Sequence, residues 1–254
     1  MHGGASQGDR VKAPAAEIAI PETVDFDKYR ERGAYHWDEA DPRSSNYNPP
    51  LHARYRIVAD RVPGQGVVID IGAGDGVMMG LLADRSRLVI GVETDADGAR
   101  HARDQLTHVP HKLVLRASAY SMPLADGSAD VAVMADVIEH LPDPEAAVRE
   151  AARVVRSSGR LLVSTPKYRP DRMWDSRHEK EFRPEDLHEC LSVGFDDVDI
   201  SYFWPLRWSN RYSTAVGFQL IKRVARLGWN PFMRSGSEPE RFGQMLAVCA
   251  GPRV

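Results

Sequence analysis

The sequence predicts an α/β protein built on a doubly wound, mainly parallel sheet with helices on both faces. Three observations carry that expectation. Val67 to Ile71 is a short apolar run that passes directly into glycines at 72, 74 and 76. A second apolar run, Leu88 to Val92, ends on an acid, Glu93, seventeen residues past Gly76. From Gly66 onward, short apolar segments alternate with longer helical ones, the pattern of strands covered on both sides.

The elements follow in chain order. Residues 1–24 are rich in Gly, Ala and Pro and are expected to form a disordered tail. Residues 25–64 are expected to form a helical cap. Its first half is polar with scattered aromatics (Tyr29, Tyr35, Trp37, Tyr47). Pro49-Pro50 then opens a helix through about Arg61 with Leu51, Tyr55, Ile57 and Val58 apolar. The core spans 65–204. Strands are expected at 67–71, 88–93, 112–116, 130–135, 160–165 and 195–203, with helices at 75–84, 95–106, 144–156 and 183–192. A last strand near 243–250, within 241–254, brings the sheet to seven strands. Residues 205–240 form an insertion before it, longer than a hairpin needs. Residues 206–235 hold six Arg/Lys and no Asp or Glu. Val216, Leu220, Ile221, Val224 and Leu227 fall on one helical face, and Lys222, Arg223 and Arg226 on another.

At 254 residues the chain is one domain, or one domain with insertions. A net charge of -3 gives no global electrostatic case for binding nucleic acid. Cys190 and Cys249 lack metal spacing and read as reduced core thiols, which points to the cytoplasm. No apolar run is long enough to span a bilayer, and the N-terminus lacks a signal-peptide core.

The glycine spacing selects among nucleosides. A dinucleotide fingerprint would need Gly or Ala where this chain has Val77. Asp70 and Asp75 flank the turn, and two carboxylates there disfavour a pyrophosphate while tolerating a cation. S-adenosylmethionine (SAM) carries a sulfonium and an ammonium and no phosphate. Asp70-Ile71-Gly72-Ala73-Gly74-Asp75-Gly76 and Glu93 resemble the first motif and ribose-binding acid of class I SAM-dependent methyltransferases. The likeness continues through Ser118–Leu124, Asp130–Leu141 and Gly159–Pro166, over about residues 50–200. It implies a Rossmann-like fold and a cofactor site drawn from Asp70, Gly72, Ala73, Gly74, Gly76, Glu93, Thr94, Ser118, Ala119, Ala135 and Asp136. In the ubiquinone-pathway O-methyltransferases, an Asn-Pro-Leu-Arg stretch sends an Arg to the SAM carboxylate. Here His52 falls at that position, with Arg54 two residues on, and either could serve as the cofactor contact the resemblance implies.

Asp136-Val137-Ile138-Glu139-His140 follows the fourth strand, where ligands of open α/β sheets bind. With His178, the residues Asp136, Glu139 and His140 resemble the metal-binding set of small-RNA 2′-O-methyltransferases, with Asp in place of the first Glu. Three readings stand. The four residues hold a divalent metal. Or His140 is a metal-free base poised near neutral pH by Glu139 or Asp136. Or the pair caps a helix and His178 docks a loop. Catalytic roles fall to His140 and Glu139 in the first two. Tyr35, His36 and Trp37 are candidate lid residues. The insertion reads as a lid, a contact with a membrane or lipid-linked substrate, or a homodimer surface. The expected activity is O-methylation of a small molecule bearing a sugar, quinone-like or secondary-metabolite hydroxyl. N- or C-methylation, and a SAM-binding partner or sensor without turnover, are the alternatives.

Overall fold

The computed structural model describes residues 27–172 and 175–253. The expectation for residues 1–24 falls outside them. The N-terminal arm contains α1 (Lys28–Arg32), α2 (Tyr35–Ala40) and α3 (Pro49–Arg61). Asn48 caps α3 by accepting from Leu51 N at 3.3 Å, and Pro49 takes the first turn, where its missing N–H costs nothing. The core then alternates: β1 (Val67–Ile71), α4 (Val77–Ala83), β2 (Leu88–Glu93), α5 (Ala96–Gln105), β3 (Lys112–Arg116), β4 (Ala129–Ala135), α6 (Pro144–Val154), β5 (Val155–Pro166), α7 (Pro184–Ser192) and β6 (Phe195–Pro205). The insertion supplies α8 (Leu206–Tyr212), α9 (Ala215–Arg226) and a two-residue strand, β7 (Ser235–Gly236). β8 (Phe242–Pro252) closes the chain.

The strands form one sheet in the order β3-β2-β1-β4-β5-β8-β6-β7. Seven are the expected strands; β7 is an added edge pair on β6. β1 to β5 pair in parallel, and β8 runs antiparallel between β5 and β6. β5 starts earlier than expected. Residues 155–159 leave α6 already extended, with Val155 paired to Ala129 across a register shift.

Strands of a sheet covered on both faces must be apolar on both. Ile69, Met134 and Leu161 enter one core with Leu187 and Phe195, while their neighbours Val68, Val133 and Leu162 enter the other with Met79 and Leu82. Strand order reverses between β1 and β4, the crevice where open α/β sheets bind ligands. No helix among the described residues is long and apolar enough to cross a membrane.

Candidate active site

Two cavities open at this reversal. The first runs between the glycine turn and the β3–β4 connection, lined by Gly72, Glu93, Thr94, Ser118, Ala119 and Val137. The second is larger and more polar. Tyr35, Arg54, Ala135, Glu139, Arg172, His178, Trp204 and Gln244 are among its walls. Lys28, Tyr29, Gly72, Asp136 and His140 border both.

The first cavity suits a nucleoside. Glu93 Oε2 accepts from Gly74 N at 2.7 Å and Oε1 from Asp95 N at 2.8 Å, which fixes the carboxylate at the mouth of the turn. Burial raises its pKa. Gly74 takes a φ of +54°, and a Cβ there would fall 2.0 Å from the Tyr29 hydroxyl, so only glycine leaves room at this approach. Asp70 lies under the turn, 2% exposed, and lines neither cavity. Its Oδ2 has no hydrogen-bond partner, and burial, then Glu93 and Asp75, push its pKa up to about 8. A buried carboxyl oxygen left open beneath the turn is a place for a bridging water. These features fit SAM. Ala73 and Gly76 belong to the turn itself, Gly76 as the N-cap of α4. The Ser118 hydroxyl already accepts from Tyr120 N at 3.2 Å and retains a proton to donate into the cleft.

The arm changes several expectations. Asp75 is fully buried and faces the arm, not the ligand. It accepts from His36 N at 2.9 Å and pairs with the His36 ring at 3.1 Å, while Trp37 Nε1 donates to its carbonyl at 2.7 Å. His36 and Trp37 therefore clamp the arm onto the glycine turn. His52 lies outside both cavities, its Nδ1–H donating to Ala40 O at 2.8 Å. Arg54 takes the site position, with Nη1 2.8 Å from Asp136 Oδ2 and its Nε buried without a partner.

Asp136 directly follows β4 in a left-handed conformation (φ +55°), a strained geometry that recurs at functional sites. Its other oxygen accepts from Ser164 Oγ at 3.2 Å. His140 Nδ1–H donates to Arg177 O at 2.8 Å, so Nε2 is the accepting nitrogen. Burial is the main cause that lowers its pKa, to about 4. The expected poise near neutrality is corrected. Burial first, and Asp136 second, push the Glu139 carboxyl up to about 8, so at pH 7 it is protonated and gives the ring no counter-charge. Thr165 Oγ1 donates to Glu139 Oε2 at 3.0 Å. The Glu139 carbonyl accepts from Glu179 N and Lys180 N at 2.8 and 3.2 Å, which brings in the loop bearing His178. His178 Nδ1–H donates to Glu181 Oε1 at 3.2 Å, and its ring meets His140 edge-on at 4.8 Å.

One ligand atom each of Glu139, His140 and His178 lies within 4.8 Å of the others. Asp136 is withheld by Arg54, and donors around one ion sit roughly 3–3.5 Å apart. As placed, these residues stand too far apart to close around one ion.

Lys28, Tyr29, Trp204 and Gln244 were not among the sequence-derived site residues, and Arg54 was named there only as the alternative to His52. Gln244 carried a signal, as a polar residue within an otherwise apolar strand. It is 5% exposed, with Oε1 unpartnered.

A glycine turn, a buried acid at its mouth and a second cavity sharing its wall fit an enzyme that brings an adenosyl donor to an acceptor. Comparison with known proteins agrees. The methyltransferase domain family matches residues 69–163. The probable S-adenosylmethionine-dependent methyltransferase Rv3030 of Mycobacterium tuberculosis is 37% identical over 208 residues, covering 78% of this chain and 74% of that protein. Among solved structures, a SAM-dependent methyltransferase of Thermotoga maritima shares the fold with a TM-score of 0.61 at 18% identity, covering 89% of this chain and 95% of that one. The [4+2]-cyclase SpnF does so with a TM-score of 0.60 at 19% identity, covering 84% and 86%. The chain belongs to the SAM-dependent methyltransferase family. Since a cyclase shares the fold, the acceptor chemistry must be argued from the site.

Proposed function

We propose that this methyltransferase acts on a hydroxyl of a small-molecule acceptor held in the larger cavity. One observation carries the reading: His140, neutral at physiological pH and with Nε2 as its accepting nitrogen, stands on the wall shared by the two cavities. When bound, SAM supplies an electrophilic methyl group on sulfonium sulfur. His140 Nε2 takes the hydroxyl proton as the oxygen–carbon bond forms and the carbon–sulfur pair returns to sulfur. A base whose pKa burial lowers to about 4 binds that proton only transiently, so positioning contributes more than basicity. The neutral Glu139 carboxyl and Gln244 Oε1 offer a donor and an acceptor to the bound molecule, and Arg54 holds Asp136 at the junction.

The test is a screen of hydroxylated metabolites with isotope-labelled SAM, read by mass spectrometry before and after treatment with EDTA and dialysis. An O-methylated product that survives chelation supports the reading. A product methylated only at nitrogen or carbon, or activity lost to EDTA and restored by a divalent ion, contradicts it.

A further inference from the structure

Among the described residues, five large hydrophobic side chains are exposed, and four of them fall between 216 and 229. Val216 is 80% exposed, Leu220 59%, Leu227 83% and Trp229 47%. The sequence places Val216, Leu220, Ile221, Val224 and Leu227 on one helical face. The structure divides them. α9 docks through Ile221 and Ala225, and Ile221 packs with Ala53 and Phe232. Lys222 Nζ and Arg226 Nη2 fasten the same side by donating to Ser45 O at 2.7 Å and Ser44 O at 2.6 Å. At 100° per residue, Val216, Leu220, Arg223 and Leu227 share an arc of about 60° turned away from that docked side.

Within residues 206–235 every charge is positive, while Glu238 and Glu240 line one cavity with Arg207 at the edge of α8. Arg223 interrupts the stripe and is exposed. On the adjoining α8, exposed Arg207 and Arg211 lie over the Trp208 ring at 5.7 and 5.4 Å, and Trp208 meets Trp229 edge-on at 5.5 Å. No carboxylate occurs from 206 to 235. The acids felt by Lys222, Asp38 and Glu39, lie on the docked side. Two copies meeting stripe to stripe would oppose arginine with arginine. An apolar stripe edged by arginine and indole, with no acid in its own segment, instead complements the boundary between acyl chains and anionic headgroups.

We infer that α8 and α9 form a peripheral docking surface for an anionic phospholipid bilayer. Val216, Leu220, Leu227 and Trp229 enter the interface, and Arg207, Arg211 and Arg223 meet lipid phosphates. α8 also walls the acceptor cavity through Leu206 and Ser209, so docking sets that cavity beside the lipid surface.

The test is flotation of the full chain with phosphatidylcholine vesicles, with and without phosphatidylglycerol, at low and high salt. The wild type is expected to float with the anionic vesicles only, and less at high salt. The double variant Leu220→Glu, Leu227→Glu changes two exposed positions, and an unchanged melting temperature verifies its fold. It is expected to lose at least about tenfold in vesicle affinity. Replacing Arg207, Arg211 and Arg223 by Gln should lower anionic binding about fivefold per site. Failure of the wild type to float, equal flotation of the Glu variant, or a wild-type dimer in light scattering that this variant abolishes would each overturn the inference. None of these readouts depends on the acceptor or the reaction.

Discussion

Gly72→Ala perturbs the point where the two cavities meet. Gly72 has a φ of +76°, and left-handed backbone costs a residue with a Cβ roughly 1–2 kcal/mol. The new methyl would lie 2.5 Å from Val137 Cγ2 and 3.0 Å from Cγ1. Carbon atoms prefer about 3.5–4.0 Å, so Val137 must retreat by about 1 Å toward the adenosyl cleft it lines. Overpacking of this kind costs about 1–3 kcal/mol. The two contributions sum to roughly 2–5 kcal/mol, and at about 2–4 °C per kcal/mol for a chain of this size the Tm falls by roughly 4–20 °C. Circular dichroism melts measure the stability and calorimetry measures SAM affinity, which should fall in parallel. Adding Val137→Ala should relieve the steric share and leave the backbone share. A Gly72→Ala protein that melts within a degree of wild type and binds SAM equally well would refute the reasoning.

Three further outcomes are expected. Trp37→Ala removes the indole that packs over Gly80 and donates to Asp75 O, and should cost about 2–4 kcal/mol in urea unfolding and weaken SAM binding by loosening the arm. Glu139→Gln should flatten the pH dependence of stability. The folded carboxyl holds its proton up to about pH 8 while the unfolded one loses it near 4.5, so between those values wild-type stability falls as pH rises. The variant's Tm advantage should therefore widen from pH 5 to pH 8, and a constant offset would contradict the buried, protonated Glu139. Part of the slope should remain in the variant, because Asp70 titrates in the same direction. Arg54→Met should free the Asp136 carboxylate and lower turnover with little effect on SAM affinity, measured by single-turnover kinetics and calorimetry. An unchanged turnover rate would remove Arg54 from the site.

The parts read from sequence are those that local chemistry decides. Apolar strands, the glycine turn, Glu93 and the Pro49-Pro50 helix start each act within a few residues of themselves. What escaped depends on docking. His52 and Arg54 stand two residues apart on α3, and only the burial of Leu51, Ala53, Ile57 and Val58 sends one ring toward Ala40 and the guanidinium toward Asp136. Asp75 looked like a ligand-facing carboxylate because its partners, His36 and Trp37, come from 39 and 38 residues away. His140 has acids beside it in sequence, and burial that no spacing reveals raises the pKa of the adjacent one, Glu139. In α9, periodicity identified the apolar residues, while the docked Ile221 divided a packed side from an exposed one.

The most direct measurement compares wild type and His140→Ala with labelled SAM and a hydroxylated acceptor found in the screen. The two proteins should bind SAM with similar affinity, and product carrying one added methyl should form at least about a hundredfold more slowly in the variant. Equal rates of product formation would show that the shared wall of the two cavities is not where the hydroxyl is prepared.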